Sequence, residues 1–499
     1  MIPILNPADI KKIENIINLN SKEKKLQKKA VKGVVNILTK LNPSKLIIVV
    51  GAGLNGEDGL LIGNKLEKES SINEIEYFHS INSNSKSNNL NLAKKLRIDL
   101  NEINKYKIKN KKGNIIILDC ILGISGKLPM RPEVSKNLKF INNLALKLDA
   151  KIISLDLPSG FDPNTGLHDK NTLNSSHIIF LGYQTIGTLK DPSLFTSTSH
   201  IDLGIKEQDI KKQGINYTQA IDFNLVKKIF PKRKDNLYKG KFGSHLIIGG
   251  SDQYPGAPIL SSKSSNISGT GHTSISTSSS LLKEIINETP EVTNFKFDIS
   301  KNLDDSLSAF TSISIGVGLG VNEESTKKIK DLMYYLSNTN NKHNIILDAD
   351  ALNVLSGIEN WWKKFKTPTL ITPHIGEYEK LFNIKKSDIS LESIKTVSKN
   401  TNLSILLKGA NTIITTPGGI QKINTLANGG MSKPGMGDVL TGVIGSLASN
   451  SSINVEDAAI IATYVHSQSG LLAKEKYGST SMTASNVISF IPQVFKILE

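Results

Sequence analysis

Residues 428–442 read Asn-Gly-Gly-Met-Ser-Lys-Pro-Gly-Met-Gly-Asp-Val-Leu-Thr-Gly, and they decide the fold of the second half of the chain. Gly435 and Gly437 let backbone N–H groups turn inward with no Cβ in the way, and the apolar Val439-Leu440 that follows opens a helix whose N-terminus faces the same point. Such a junction is an anion site. Asp438 stands within it, where a carboxylate beside a bound phosphate is unfavourable unless it has chemistry to do, such as taking a proton from a substrate hydroxyl. On these residues alone, a tight turn with an Asp cap is the alternative. Upstream, 403–407 reads as a buried strand that runs into Lys408-Gly409-Ala410-Asn411-Thr412, a second apolar run Ile413-Ile414 and the turn Pro417-Gly418-Gly419. A lysine leaving a buried strand beside a glycine suits a phosphate or ribose oxygen, a surface lysine being the ordinary alternative. A nucleotide-dependent enzyme is the first reading.

Working outward, 499 residues exceed one ordinary core and imply two domains. The net charge of +16 raises nucleic-acid or membrane binding as a class. The lysines, however, are spread along the chain with asparagine and isoleucine, and the aromatic interleaving used for base stacking is nearly missing from 22–32 and 105–112, so no nucleic-acid partner is expected. The single cysteine, Cys120, excludes an intrachain disulfide and Cys-rich metal sites. No basic segment precedes an apolar run at the start, and no apolar run approaches the roughly 20 residues that span a bilayer. A soluble, cytoplasmic protein with no membrane partner is the expectation.

Two helical patterns, about 8–18 and 24–40, precede the strand 46–50, the glycine-rich loop 51–59 and a helix over 60–68. Apolar runs recur at 115–118, 152–155 and 178–181, while the polar stretch 80–91 reads as a solvated loop. Regularity lapses across 205–240. A second series follows at 244–248, 313–315, 345–347, 369–371 and 405–407, with helices starting near Asp438, Val455 and Ala484. The alternation predicts α/β architecture with mostly parallel sheets.

In the first half, Gly51-x-Gly-x-x-Gly56 has the formal context of a dinucleotide fingerprint, which makes a hydride-transferring dehydrogenase an alternative. Glu57 and Asp58 argue against it, because two carboxylates at the helix start repel a pyrophosphate. They suit a monovalent cation, water or a sugar hydroxyl; a plain glycine turn with acids complementing the helix dipole is the other alternative. Asp119 and Asp156 each end a strand, and in an open parallel sheet such ends converge, so Asn55, Asp58, Asp119 and Asp156 are expected to share a site.

These motifs resemble, over nearly the full length, the bifunctional NAD(P)H-hydrate repair enzymes, in which an epimerase domain precedes an ADP-dependent dehydratase domain. The resemblance rests on Gly51–Gly59, Asp119–Gly126 and Asp156–Gly160 in the first half. In the second it rests on Lys239-Gly240-x-Phe242-Gly243, Gly249-Gly250-Ser251, Gly256-Ala257, Gly316-x-Gly318-Leu319-Gly320, 347–353, Thr372-Pro373-His374-x-Gly376-Glu377, Lys408-Gly409 and 435–438. It implies a Rossmann-like three-layer epimerase domain over 1–215 and a ribokinase-like dehydratase domain over 216–499. Residue by residue, it implies a potassium site at Asn55, Asp119 and Ser159. Epimerase contacts to the hydrate are implied at Asn55, Gly56, Asp58, Gly123, Ser125, Gly126 and Asp156, with Asp156 for acid–base work. Dehydratase contacts are implied at Ala257, Gly318, His374 and Asp438, nucleotide contacts at Lys408, Gly409, Ala410, Asn411, Thr412 and Gly437, and Asp438 as catalytic base.

The implied ligands are the hydrates of NADH and NADPH (NADHX and NADPHX), ADP as co-substrate, Mg2+ and K+, with homo-oligomerisation of the chain. Leu54 stands where the family has asparagine, Glu57 where it has glycine, Val317 where proline is common and Lys433-Pro434 where Thr-Gly is common. The first two bear on epimerase activity; none touches Asp438. The rival readings are a small-molecule kinase of ribokinase-like fold and a catalytically silent nucleotide-binding protein.

Overall fold

The computed structural model describes residues 2–19, 25–69, 71–79, 98–99, 113–191, 197–215, 217–233, 238–296, 306–338 and 343–499. The expected loop at 80–91 and the stretch 105–112 lie outside the described residues. The chain divides into two compact units, Met1–Ala220 and Ile221–Glu499.

The first unit is built on seven parallel strands in the spatial order Ile98–Asp99, Ile75–His79, Lys45–Val50, Ile115–Cys120, Lys151–Leu155, Ser175–Leu181 and Thr198–Ile201. Strands covered on both faces read as unbroken apolar runs, and here successive residues alternate between two cores. Leu46, Ile48 and Val50 pack into one core with residues of the helices Pro7–Leu19, Lys25–Leu41 and Leu54–Lys68; Ile47 and Val49 face the other, with Leu138, Ile141 and Leu144 of the helix Pro132–Leu148. Chain order reverses around Lys45–Val50, flanked by Ile75–His79 and Ile115–Cys120, which places the crevice at the carboxyl ends of these strands. Separately, Ile2–Leu5 pairs antiparallel with Thr218–Ala220 and parallel with Gln184–Thr185.

The helix after Lys45–Val50 begins at Leu54, six residues ahead of the expected start. Its glycines and polar first turn read as loop, but an added Cβ at Gly56 would lie 2.0 Å from the Gly51 carbonyl oxygen, so this close approach, which only glycine permits, lets the helix begin early.

In the second unit, seven parallel strands run Thr293–Asn294, His272–Ser276, Ser244–Ile248, Ser312–Ile315, Asn344–Leu347, Thr369–Ile371, Ser404–Leu407, and the antiparallel pair Thr412–Thr415 and Gln421–Asn424 extends that edge. Ile346, Leu370 and Leu406 face the helices Met436–Ala448, Val455–Ser481 and Ala484–Leu498; Ile345, Leu347, Ile371 and Ile405 face the opposite core. Among the described residues no helix is long and apolar enough to cross a membrane.

Candidate active sites

In the second unit, the strands Ser312–Ile315, Asn344–Leu347, Thr369–Ile371 and Ser404–Leu407 end side by side and deliver Gly316 to Gly318, Asp348, His374 and Lys408 to one rim. A backbone bridge ties His374 to Lys408. Opposite them, the helix Met436–Ala448 starts after Gly435, whose φ of 88° is the left-handed turn at the helix start, and Asp438 stands in its first turn.

A buried ion pair organises the rim. Lys408 Nζ donates to Asp348 Oδ1 at 2.7 Å, and Thr441 Oγ1 donates to Asp348 Oδ2 at 2.7 Å. Burial pushes the Asp348 carboxyl up, but the Lys408 charge and the hydrogen bonds from Lys408, Thr441 and Thr372 outweigh it, leaving the group below its ordinary range. Lys408 is pushed down by burial and up more strongly by Asp348, Glu377 and Asp438, so its ammonium is held charged. For Asp438, burial and the charges of Asp348 and Asp350 outweigh the opposing Lys408, and its pKa rises to about 6. That value suits a general base at neutral pH: mostly ionised, yet basic enough to accept a proton.

His374 caps the helix Ile375–Phe382. Its backbone N–H donates to Glu377 Oε2 at 2.8 Å and its Nδ1 accepts from the Glu377 N–H at 3.2 Å, leaving the imidazole 61% exposed. Ala257 and Gly318 touch: a Cβ on Gly318 would stand 2.7 Å from the Ala257 Cβ. Gly437 faces Lys408, whose Nζ is 3.6 Å from where a Cβ on residue 437 would stand. Gly409 and Ala410 lie exposed after Lys408, and Asn411 leads into the strand that starts at Thr412. Lys408, expected to meet a phosphate or ribose oxygen, spends its closest contact on Asp348.

In the first unit, Asp119 ends the strand Ile115–Cys120 fully buried. Its Oδ1 accepts from Ser159 Oγ at 2.7 Å and the Ile121 N–H at 3.1 Å; its Oδ2 accepts from Ser154 Oγ and the Ser159 N–H, each at 2.8 Å. Burial raises its pKa and these neutral donors only partly offset that. Asn55 Nδ2 reaches the Leu155 carbonyl at 3.4 Å, its Oδ1 is buried without a hydrogen-bond partner among the described residues, and a Cβ on Gly123 would come within 3.1 Å of the same amide. Ser125, in the turn Gly123–Ser125, is exposed, whereas Gly123 and Gly126 are buried.

Asp156 has φ 62°, a conformation non-glycine residues rarely hold, and its Oδ1 accepts from the Leu181 N–H at 3.1 Å. Burial, then the charges of Glu14 and Asp58, push its pKa well above the carboxylate range. Asp58 Oδ1 accepts from Gln27 Nε2 at 2.9 Å. Asn55 thus reaches Leu155, next to Asp156, and Asp58 is near enough to raise Asp156, while the hydrogen bonds to Asp119 come from Ser154, Ser159 and Ile121; Leu54, the helix's first residue, is 70% exposed.

Sequence reasoning missed Glu14, which lines a small cavity with Asp156 and Tyr183, and Thr441 beside Asp348. Glu14 looks like one more polar residue on a charged helix; the signal available was the Ile10 and Ile13 spacing, which turns the following position toward the core edge.

Two α/β units, each carrying buried acids at the carboxyl ends of its strands, define a two-domain α/β enzyme. The family described as NAD(P)H-hydrate dehydratase matches residues 245–493, and the family described as YjeF-related protein N-terminus matches residues 23–187. A bifunctional NAD(P)H-hydrate repair enzyme of Dictyoglomus turgidum is 27% identical over 485 residues, covering 90% of this chain and 88% of that protein. An ADP-dependent (S)-NAD(P)H-hydrate dehydratase of Bacillus subtilis is 28% identical over 279 residues, covering 55% of this chain and 96% of that one. A crystal structure of a ribokinase-like superfamily protein from Enterococcus faecalis, 24% identical, covers 56% of this chain and 96% of its own with a TM-score of 0.51, which shows the fold alone. The chain belongs to the family of bifunctional NAD(P)H-hydrate repair enzymes, with the epimerase-type unit ahead of the dehydratase-type unit.

Proposed function

We propose that this chain returns hydrated NADH and NADPH to use, the first unit interconverting the R and S hydrates and the second dehydrating the S form with ADP. The observation that supports this most is Asp438, with its pKa of about 6, at the N-terminus of the helix Met436–Ala448 beside the Lys408–Asp348 pair. Hydroxide is a poor leaving group, so the hydroxyl must first be converted into a better one. Asp438 takes the hydroxyl proton while the oxygen attacks the terminal phosphorus of ADP, and the bond from that phosphorus to the bridging oxygen breaks, releasing AMP. The N–H groups at Gly435 to Gly437 face the charge that develops on the transferred group. The C–O bond of the phosphate ester then breaks, the neighbouring carbon gives up a proton, and the ring double bond returns with free phosphate. Ala257, Gly318 and His374 line the hydrate side; Lys408 to Thr412 and Gly437 line the nucleotide side.

In the first unit, Asn55, Asp119 and Ser159 form an all-oxygen donor set around a buried carboxylate whose hydrogen bonds come from neutral groups, and the unpartnered Asn55 Oδ1 fits a monovalent cation such as K+. The cation would supply the counter-charge that Asp119 lacks. Gly56, Gly123, Ser125, Gly126, Asp58 and Asp156 border the hydrate, and Asp156 exchanges the proton. Mg2+ accompanies ADP, a second copy of the chain is the expected partner, and the compartment is the cytoplasm.

The test is recovery of reduced-nicotinamide absorbance from mixed NADHX epimers, with and without ADP or ATP, for the parent and Asp438→Asn. Recovery that requires nucleotide and vanishes in the variant supports the reading. A folded protein that binds nucleotide and recovers nothing sinks it and leaves a kinase or a silent binder.

A further inference from the structure

The expected site residues of the first unit leave one wall of the Asp156 cavity unexplained. Ile10, Glu14, Ile124, Asp156, Tyr183 and Thr185 border a space of about 10 Å³, room for one hydroxyl-sized group. Tyr183 is 5% exposed and Thr185 2%, and the hydroxyl of each is buried without a hydrogen-bond partner among the described residues. Burying such a group costs stability unless something pairs with it. The geometry is deliberately held: Gln184–Thr185 is pinned by pairing with Ile2–Leu5, and the helix Pro7–Leu19 that follows carries Glu14 to Tyr183. Glu14 and Asp156 are the acidic neighbours of the phenol, Asp58 lies beyond them, and Lys11 flanks Glu14. Three carboxyl groups exclude a phosphate from this space, so what enters must be neutral and able to donate a hydrogen bond.

We propose that Tyr183 is a substrate-contacting residue of the first unit, its hydroxyl donating to the oxygen of the hydrate's ring hydroxyl while that hydroxyl's own proton goes to a carboxyl of the Glu14–Asp156 pair. The inference rests on the epimerase reading and deepens it: the ring's hydroxyl enters the acid-lined cavity, and the ring itself and the pyrophosphate stay outside it. The apolar residues Ile10, Ile124, Leu157 and Phe180 complete the cavity wall.

The experiment uses the full chain without ADP, so that dehydration cannot intervene, and follows conversion of isolated (R)-NADHX to the S form by chromatography. Tyr183→Phe is expected to slow enzymatic conversion roughly tenfold, with a Tm no lower than the parent's because an unpaired buried hydroxyl has been removed. Unchanged conversion overturns the proposal. Should the parent convert no faster than solution, the epimerase reading fails by itself, and ring-13C-tyrosine NMR decides about Tyr183. The resonance absent from Tyr183→Phe must shift on adding NADHX; a resonance that stays fixed overturns the contact.

Discussion

The pH dependence of dehydration tests the second site most directly. With the Asp438 pKa at about 6, roughly 90% of the carboxyl is ionised at pH 7 and about 9% at pH 5, so kcat at saturating ADP should fall about tenfold between them along a single-proton limb. The charges around Asp438 give two perturbations of opposite sign. Asp350 raises its pKa, and the Asp350 Oδ2 that accepts from the Gly320 N–H at 2.8 Å has an isosteric oxygen in asparagine. Asp350→Asn should therefore move the limb to lower pH with the loop retained. Lys408 lowers the pKa, and a charge a few ångströms away in a partly wet site is worth about one unit. Lys408→Met should move the limb up, toward pH 7, so that about half of the activity per folded molecule is lost at pH 7. The assay is absorbance recovery from (S)-NADHX between pH 4.5 and 8.5, with folded fraction checked at each pH. A limb near pH 4 in the parent, or limbs that ignore both substitutions, would refute the assignment of Asp438 as the base.

Further outcomes follow from the same contacts. Asp438 binds its proton more tightly folded than unfolded, so its ionisation lowers stability as pH rises from the ordinary carboxylate range through about 6; Asp438→Asn should match the parent at pH 4 and exceed it at pH 8 by at most about 3 kcal/mol in urea unfolding. Lys408→Met alone leaves Asp348 buried and unpaired and should cost about 3–5 kcal/mol, whereas the double variant with Asp348→Asn should recover much of that, a coupling read from a double-mutant cycle. Gly56→Ala drives a Cβ to within 2.0 Å of the Gly51 carbonyl; it should cost about 1–3 kcal/mol and remove epimer conversion while ADP-dependent dehydration of the S form persists, as parallel assays on one preparation would show.

Much of this was legible because local chemistry and tertiary structure agree. The helices expected near Asp438, Val455 and Ala484 start at Met436, Val455 and Ala484, each after a residue whose conformation or side chain marks the boundary. Asp119 and Asp156 lie at neighbouring strand ends because Ile115–Cys120 and Lys151–Leu155 pair in parallel. Where a contact that spacing and propensity do not encode decides, whether five residues away or far along the chain, the reading failed. The helix at Leu54 begins early because Gly56 meets the Gly51 carbonyl, a contact that propensity does not contain. Glu14, Asp156 and Tyr183 are scattered along the chain and join only once Ile2–Leu5 pairs beside Gln184–Thr185. Thr441 bonds a carboxylate 93 positions away.

The two sites manage buried acid in opposite ways, and the difference accounts for their chemistry. In the second unit Lys408 lies on Asp348, so one carboxylate is neutralised and Asp438 is left with a pKa of about 6, able to exist as a base at neutral pH. Among the described residues of the first unit, Glu14 and Asp58 are the charges that raise Asp156 and no basic group offsets them; Glu14 itself rises to about 7 through burial and Asp58, against a smaller opposing effect of Lys11. Acids so arranged share protons among themselves rather than hold full charge. On the proposed function, a group poised in that way can both give and take the proton of the hydroxyl by which the two epimers differ, whereas a one-way dehydration driven by ADP needs a base that starts empty. Replacing Glu14 by glutamine removes one charge that holds Asp156 up, so the epimerase limb should move to lower pH while that of the dehydratase stays where Lys408 and Asp350 set it.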